Sequence, residues 1–460
     1  MVESISHFSE KFVGIVWGWP QDFPLMVLIL FGAGLVFSIY FGLPQLRLFK
    51  HAIEVTAGKF DKPEDEGEIT HFQALCAALS ATIGLGNIAG VAVAISAGGP
   101  GAVFWMWVAG FLGMTTKLTS ISLAMLNREV DKETGEVHGG PMFTIKNALP
   151  KGFHFLAAIY AFFTICGAMG AGNMFQSNQM AAMLNSSTGL PLWATGVIFA
   201  VLTALVLIGG IKRIGNVAEK LVPSMVVIYF VGALGIVLYN YELVPQMLGS
   251  IFSDAFTGTA AIGGFAGVAF KEVVMQGIRR AVFSNEAGLG SAAMAHSAAK
   301  SSPIQEGIVG MLGPFIDTIV VCTLTALALL ITGVWTGGAD GPQGAELTAS
   351  AFETLYGPAG SHMVTLVVVM FAFSSIISWS YYGEQGVTYL FGKGAIKYYK
   401  WIFVGMVLVG AILKLHTILN LSDAFLGLMV IPNMIANIML TPKLKKEIKK
   451  YEADLAAGRL

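Results

Sequence analysis

The chain has 460 residues, a mean hydropathy of +0.71 and only 12% charged residues, about half the ~25% of an ordinary soluble domain, so lipid is the solvent for most of it. With 27 basic against 28 acidic residues, the balance gives no reason to expect nucleic acid as a partner. Cys76, Cys166 and Cys322 lie far apart inside apolar runs, without the spacing of a zinc or haem site, and the opening MVESISHFSEKF has neither the basic n-region of a signal peptide nor a lipidation motif, so the first span is expected in the mature protein.

A helix takes about 20 residues to cross a hydrocarbon core of ~30 Å. The apolar runs predict about eleven such helices, near 24–46, 72–96, 101–126, 153–183, 191–209, 217–240, 266–298, 305–332, 361–391, 400–416 and 421–441: an all-α polytopic membrane protein. Alternate loops hold about 20 Lys and Arg on one side against about two on the other. Positive charge stays cytoplasmic, which predicts a cell-membrane protein with its N-terminus outside and its Lys-rich C-terminus inside. The acidic loop 333–360, with Asp340, Glu346 and Glu353, falls on the outer side. Residues 1–71 then form an extra N-terminal helix and cytoplasmic loop, 72–240 a first block of five helices, 241–265 an extracellular linker, 266–441 a second block of opposite topology, and 442–460 a cytoplasmic tail. Two opposed blocks of five are the layout of an inverted repeat.

The second span carries Gly84-Leu85-Gly86-Asn87, and the seventh carries Gly288-Leu289-Gly290-Ser291. Each reads Gly-x-Gly-x-x-Ala, at 84, 86, 89 and at 288, 290, 293. Two glycines in three residues weaken a helix by about 1 kcal/mol each, and an unwound stretch at membrane depth must face water, protein or a ligand. Free amides at a half-helix N-terminus attract an anion and free carbonyls coordinate a cation, the requirements of a carboxylate plus Na⁺. The same glycines also suit close helix packing. A dinucleotide fingerprint fits the letters but lacks the preceding strand.

Between the two breaks, the fourth span is rich in amides, with Asn173, Gln176, Asn178 and Gln179 in GAGNMFQSNQM, and Gln179 is the candidate to bind an amino or carboxylate group. Lys117, nearer the cytoplasmic end of the third span, is expected to snorkel. The seventh span is the most polar. Lys271, Glu272, Arg279, Arg280 and Glu286 cannot face lipid there, and the two arginines are expected to pair with Glu272 or Glu286. Phe283 is placed to close an apolar lid. Asp317 is the acid inside the eighth span, suited to cation coordination, proton relay or satisfying a broken backbone, and Glu286 sits in the second break. In the ninth span Ser374, Ser375 and Ser378 offer hydroxyl oxygens, the hard ligands that Na⁺ takes, beside the wall of Trp379.

The stretches ATIGLGNIAGVAVAISAGGPGAVFWMW, HGGPMF, GIRRAVFSNEAGLGSAAMAH and SSIISWSYYGEQ resemble the alanine or glycine:cation symporter family, the sodium:alanine symporters, over nearly the whole chain. The resemblance implies a leucine-transporter-like fold, a five-plus-five inverted repeat behind one extra helix, and Na⁺-coupled uptake of a small amino acid. ATIGLGN is also similar to the unwound first core helix of the neurotransmitter:sodium symporters. That likeness implies a sodium held by the carbonyls of Ser80, Ile83 and Phe371 and the hydroxyls of Ser374 and Ser375. It further implies a substrate carboxylate at the amides of Gly84, Leu85 and Gly86, and an amino group at carbonyls from Ser284 and Asn285 to Ala287. Thr82, Asn87, Gln179, Phe283, Gly288 and Trp379 complete the substrate surroundings. The outer-gate arginine that those symporters carry after this asparagine is absent, since Ile88, Ala89 and Gly90 follow.

The expected function is therefore a Na⁺-coupled symporter importing alanine, glycine or similar small amino acids, with no cofactor and no obligatory protein partner. Proton coupling through Asp317 or Glu286 is the alternative, followed by a cation channel. An enzyme is disfavoured because HExxH, GxSxG and a Walker A loop are missing.

Overall fold

The computed structural model describes residues 2–20, 24–62, 66–131, 135–257, 270–337 and 341–460. It is a helical bundle whose one sheet, among the described residues, is a two-residue antiparallel pair. An N-terminal helix, α1 (Val2–Gly18), precedes the first predicted span, α2 (Leu25–Tyr40). α1 packs on the last helix of the chain, where the Trp17 indole donates to the Asp423 carbonyl at 2.9 Å. Two short helices, α3 (Pro44–Arg47) and α4 (Phe49–Thr56), fill the following loop.

The first interrupted span is α5 (His71–Thr82), a π-helical turn Gly86–Gly90 and α6 (Val91–Gly98). Thr70 starts it with a reciprocal capping box to Gln73, which satisfies two otherwise orphaned amides. α7 (Gly101–Leu126) is the most buried of the long helices. Beyond it lie the strands Glu129–Val130 and Val137–His138, then α8 (Pro141–Ala148). The fourth span joins α9 (Phe155–Met169) to α10 (Phe175–Thr188) through a π-helical turn, Gly170–Met174. α11 (Leu192–Leu207) and α12 (Gly210–Tyr239) follow.

The predicted linker 241–265 is partly helical, with α13 (Val244–Thr257) packed on α7; residues 258–265 lie outside the described residues. The second interrupted span is α14 (Phe270–Asn285) and α15 (Ala292–Ser297). α16 (Pro303–Pro314) and α17 (Thr323–Thr332) form the eighth span around a π-helical stretch, Phe315–Cys322. The acidic loop contains a helix of its own, α18 (Ala345–Tyr356); its Asp340 lies outside the described residues. α19 (Pro358–Phe391), α20 (Ile396–Ile412) and α21 (Leu415–Ala456) close the chain. α21 runs unbroken through the predicted tail, because Lys443 to Lys450 continue its helical pattern beyond the apolar part.

Seven helices among the described residues are long and apolar enough to cross a membrane, or eight with the bent first pair, while α2 and α11 are apolar at 16 residues. α14 is likewise 16 residues long and carries Lys271, Glu272, Arg279 and Arg280. These lengths confirm a multi-pass membrane protein without fixing the count at eleven.

Candidate substrate and cation site

α5 ends at Thr82 because Ile83 turns into extended geometry, φ −74° and ψ 90°. The half-helices on either side bend by 48°. Glycine is required where they turn. A Cβ on Gly84 would lie 2.5 Å from Ser375 Oγ, and one on Gly86 would lie 2.8 Å from the Cα of Ser284. Gly86 is thus where the two interrupted spans touch. The break covers 83–85, and Asn87 lies inside the π-helical turn rather than in the break itself. Its side chain folds back to cap it: the Gly84 amide donates to Asn87 Oδ1 at 2.9 Å. That bond occupies one of the amides expected for a carboxylate and leaves those of Leu85 and Gly86.

The second break starts at Glu286, two residues before the glycine pair. Glu286 adopts φ +58°, Gly288 +93° and Gly290 +80°, left-handed geometry that only glycine takes without cost. Protein groups satisfy the freed backbone, as apolar surroundings demand. Asn433 donates to the Gly288 carbonyl at 2.8 Å, Tyr160 to the Leu289 carbonyl at 2.9 Å, and the Ala287 amide to Asn285 Oδ1 at 2.8 Å. Ser291 donates to the Glu286 carboxylate. Gly288 packs on Leu30 and Met434, away from the first break, so it shapes the turn rather than meeting Gly86.

Asp317, fully buried in the π-helical stretch of the eighth span, joins the two breaks. Its Oδ1 accepts from Asn87 Nδ2 at 2.7 Å, and its Oδ2 accepts from Ser284 Oγ at 2.9 Å and Thr318 Oγ1 at 2.8 Å. Asn285 donates to the same Thr318 at 2.9 Å. Lys117 does not snorkel. It is 3% exposed, and its Nζ lies 3.1 Å from the Cβ position of Gly313.

Beside the first break, oxygen atoms of α5 and α19 converge. Ser80 Oγ donates to the Ser374 carbonyl at 2.7 Å, Ser374 Oγ to the Phe371 carbonyl at 2.9 Å, and Ser375 Oγ to the Ser80 carbonyl at 3.1 Å. Ser378 Oγ reaches Ser80 Oγ at 3.0 Å. Ser80, Phe371, Ser374 and Ser375 thus lie together, with Ile83 one turn on. The four hydroxyls of Ser80, Ser374, Ser375 and Ser378 and the three carbonyls of Ser80, Phe371 and Ser374 are oxygens of the kind a hard monovalent cation takes; among the described residues no cluster of three His, Cys, Asp or Glu could hold a metal.

Trp379 packs on Gly172 of the neighbouring π-helical turn and against Tyr382. Phe283 meets Phe175 edge-on at 5.1 Å. Thr82 Oγ1 returns to the Ala78 carbonyl at 3.1 Å, so it serves its own helix. Gln179 points away from Gly84: its Oε1 accepts from the Ala345 amide at 3.4 Å, at the start of α18. Gln176, one turn earlier, holds the position beside the break. Its Oε1 is buried without a partner among the described residues and lies 3.6 Å from the Gly84 Cβ position. Arg279 and Arg280 both pair with Asp423 of α21, not with Glu272 or Glu286. Glu272 instead accepts from Gln276 at 2.6 Å.

Residues 3–460 match the sodium:alanine symporter family. The sodium/alanine symporter AgcS of Methanococcus maripaludis is 42% identical, over 96% of this chain and 97% of that protein. A probable sodium/glutamine symporter, GlnT of Bacillus subtilis, is 31% identical over 95% and 89%. Among solved structures, MhsT in complex with L-phenylalanine superposes with a TM-score of 0.61 at 13% identity, covering 82% of this chain and 89% of that one. A manganese transporter of Eremococcus coleocola gives 0.57 at 16%, covering 80% and 78%. The two superpositions show a shared leucine-transporter-like fold, and the match over residues 3–460 together with the 42% identity to AgcS establishes that this chain belongs to the sodium:alanine symporter family.

Proposed function

We propose that the chain imports alanine, glycine or a similarly small amino acid together with Na⁺, by alternating access. The contact of Gly86 with Ser284, beside the serine cluster of α5 and α19, carries this reading. It brings the two interrupted spans together next to their breaks, beside five oxygen ligands. Na⁺ binds the carbonyls of Ser80, Ile83 and Phe371 and the hydroxyls of Ser374 and Ser375. The substrate carboxylate meets the amides of Leu85 and Gly86, its amino group meets carbonyls at Ser284 to Ala287, and Gln176 adds an amide oxygen where Gln179 was expected. Trp379, Phe283 and Phe175 wall the side chain. Binding of the ion fixes the geometry of the first break, and rocking of one helix set against the other then opens the inner path.

The energetics suffice. A tenfold Na⁺ gradient supplies about 1.4 kcal/mol, and 100 mV adds about 2.3 per charge. The relatives named for sodium/alanine and sodium/glutamine symport agree on the ion and differ in the amino acid, so pocket size is the point to test. In proteoliposomes loaded to take up labelled alanine, unlabelled alanine and glycine compete and leucine does not. Competition by leucine equal to that by alanine contradicts the small-substrate reading.

A further inference from the structure

The inner ends of the two interrupted spans are fastened together by groups with no role in binding ion or substrate. Residues ahead of α5 lie along those after α15 as a strap: Ile69 bridges Ala299, Glu68 N donates to the Ala298 carbonyl at 2.7 Å, and Lys300 N donates to the Ile69 carbonyl at 2.8 Å. Arg128, at the end of α7, clamps it by donating to the carbonyls of Ser297 at 2.7 Å, Ala299 at 2.8 Å and Glu66 at 2.6 Å. Next to the strap, Glu306 of α16 is fully buried and takes one imidazole on each oxygen, His71 Nδ1 at 2.7 Å and His296 Nδ1 at 2.5 Å. The other nitrogen of His71, Nε2, lies 3.2 Å from Asp61 Oδ1.

A neutral imidazole has one N–H. His71 hydrogen-bonds Glu306 through Nδ1 and sets Nε2 in ion-pair range of Asp61, a placement between two carboxylates that suits the imidazolium, whereas His296 packs its Nε2 on Gly310. The charged groups on the elements around His71 are Lys50, Glu54 and Lys59 at α4, Lys212, Arg213, Glu219 and Lys220 on α12, and Glu66, Glu68, Arg128 and Lys300 at the strap, while the carboxylates set against the imidazole itself are those of Asp61 and Glu306. His51 on α4 stays neutral, since burial lowers its proton affinity below the ordinary imidazole range. Asp61 and Glu306 therefore set the charge state of His71.

We propose that His71, held between Glu306 and Asp61, is a proton-binding site that latches the inner gate: it carries one proton while the strap is closed and releases it when the strap parts. Loss of the proton leaves Glu306 buried without its counter-cation, which favours opening, so acid keeps the inner gate shut and alkali frees it. The inference rests on the proposed orientation, in which this end faces the cytoplasm.

Cys76, five residues beyond His71 and 2% exposed, is a native reporter of that gate. In sealed inside-out vesicles of the full chain, a membrane-impermeant maleimide is applied between pH 6 and 8, and its adduct at Cys76 is quantified by peptide mass spectrometry. His71→Gln retains amide hydrogen bonding but cannot titrate, and so corrects for the reactivity of the thiol itself. The ratio of wild-type to His71→Gln labelling is expected to rise about tenfold over this range. Asp61→Asn, at a side chain 53% exposed, is expected to leave folding intact and to shift the midpoint down by about half a unit. Equal pH profiles for wild type and His71→Gln, or an unmoved midpoint in Asp61→Asn, overturn the latch. Labelling confined to right-side-out vesicles overturns the orientation and the latch's cytoplasmic side together, whereas failure of Na⁺-dependent uptake in the same preparation counts against the transport reading and leaves the labelling result standing.

Discussion

Asp317 receives hydrogen bonds from both interrupted spans, and its substitution separates charge from connectivity. Alanine there removes the carboxylate acceptor of Ser284 and Thr318, two buried donors at about 1–3 kcal/mol each, and leaves Asn87 only the Asp317 main-chain carbonyl at 3.0 Å; it is expected to abolish uptake and lower the yield of folded protein. Asparagine keeps a single acceptor, and uptake is expected to fall more than tenfold with folded protein retained by size-exclusion chromatography. Wild-type uptake by Asp317→Asn would show that the carboxylate is dispensable. At the serine cluster, Ser375→Ala removes a hydroxyl facing Gly84 and is expected to raise the half-saturating Na⁺ about tenfold, equivalent to ~1.4 kcal/mol, with uptake recovered at high Na⁺. A Na⁺ titration of uptake checks this, and an unchanged midpoint would remove Ser375 from the ion site. These residues were legible because an acid or a run of serines inside an apolar span has no cheap lipid-facing role. Gln176 was not singled out from Gln179: a π-helical turn just ahead of both adds a residue to the helical register, which a regular 3.6-residue projection does not contain.

At the scale of elements, the breaks depend on the absence of a side chain at particular glycines. Gly86→Ala would set a methyl against the backbone of Ser284 and push the interrupted spans apart, whereas the nearest atom to a Cβ at Gly90 is 3.9 Å away. Uptake is expected to be lost in Gly86→Ala and kept within about twofold in Gly90→Ala, since an ordinary van der Waals contact costs little; equal activity in the two variants would contradict the contact between the breaks. Paired GLG triplets made both interruptions readable from sequence, and the long apolar runs gave most spans. The helices α1, α13 and α18 were not predicted because their mixed composition matches a loop as well as an amphipathic surface helix, and their helicity follows from packing on α21, α7 and α19. The partner of the two arginines was equally hidden: Asp423 is 143 residues from Arg280 in the chain, and only the fold brings α14 and α21 together.

For the whole molecule, the two opposed blocks inferred from charge and hydropathy, 72–240 and 266–441, place one interrupted span in each, and these spans meet at Gly86 and Ser284. A fold of this kind changes access by moving one helix set about a site that stays at the centre. The strap between 66–69 and 297–300 closes one end, while α18 covers the other, its Thr348 donating to the Ile88 carbonyl at 3.3 Å. In the proposed mechanism the site lies between these two closures, and opening either one exposes it to a single side. The central claim is that Na⁺ and a small amino acid share that site. It is tested most directly by labelled-alanine uptake into proteoliposomes at fixed pH, with external Na⁺ replaced by K⁺. Uptake that saturates with Na⁺ and falls to the protein-free background in K⁺ is the predicted result. Alanine uptake that proceeds unchanged in K⁺ would contradict it.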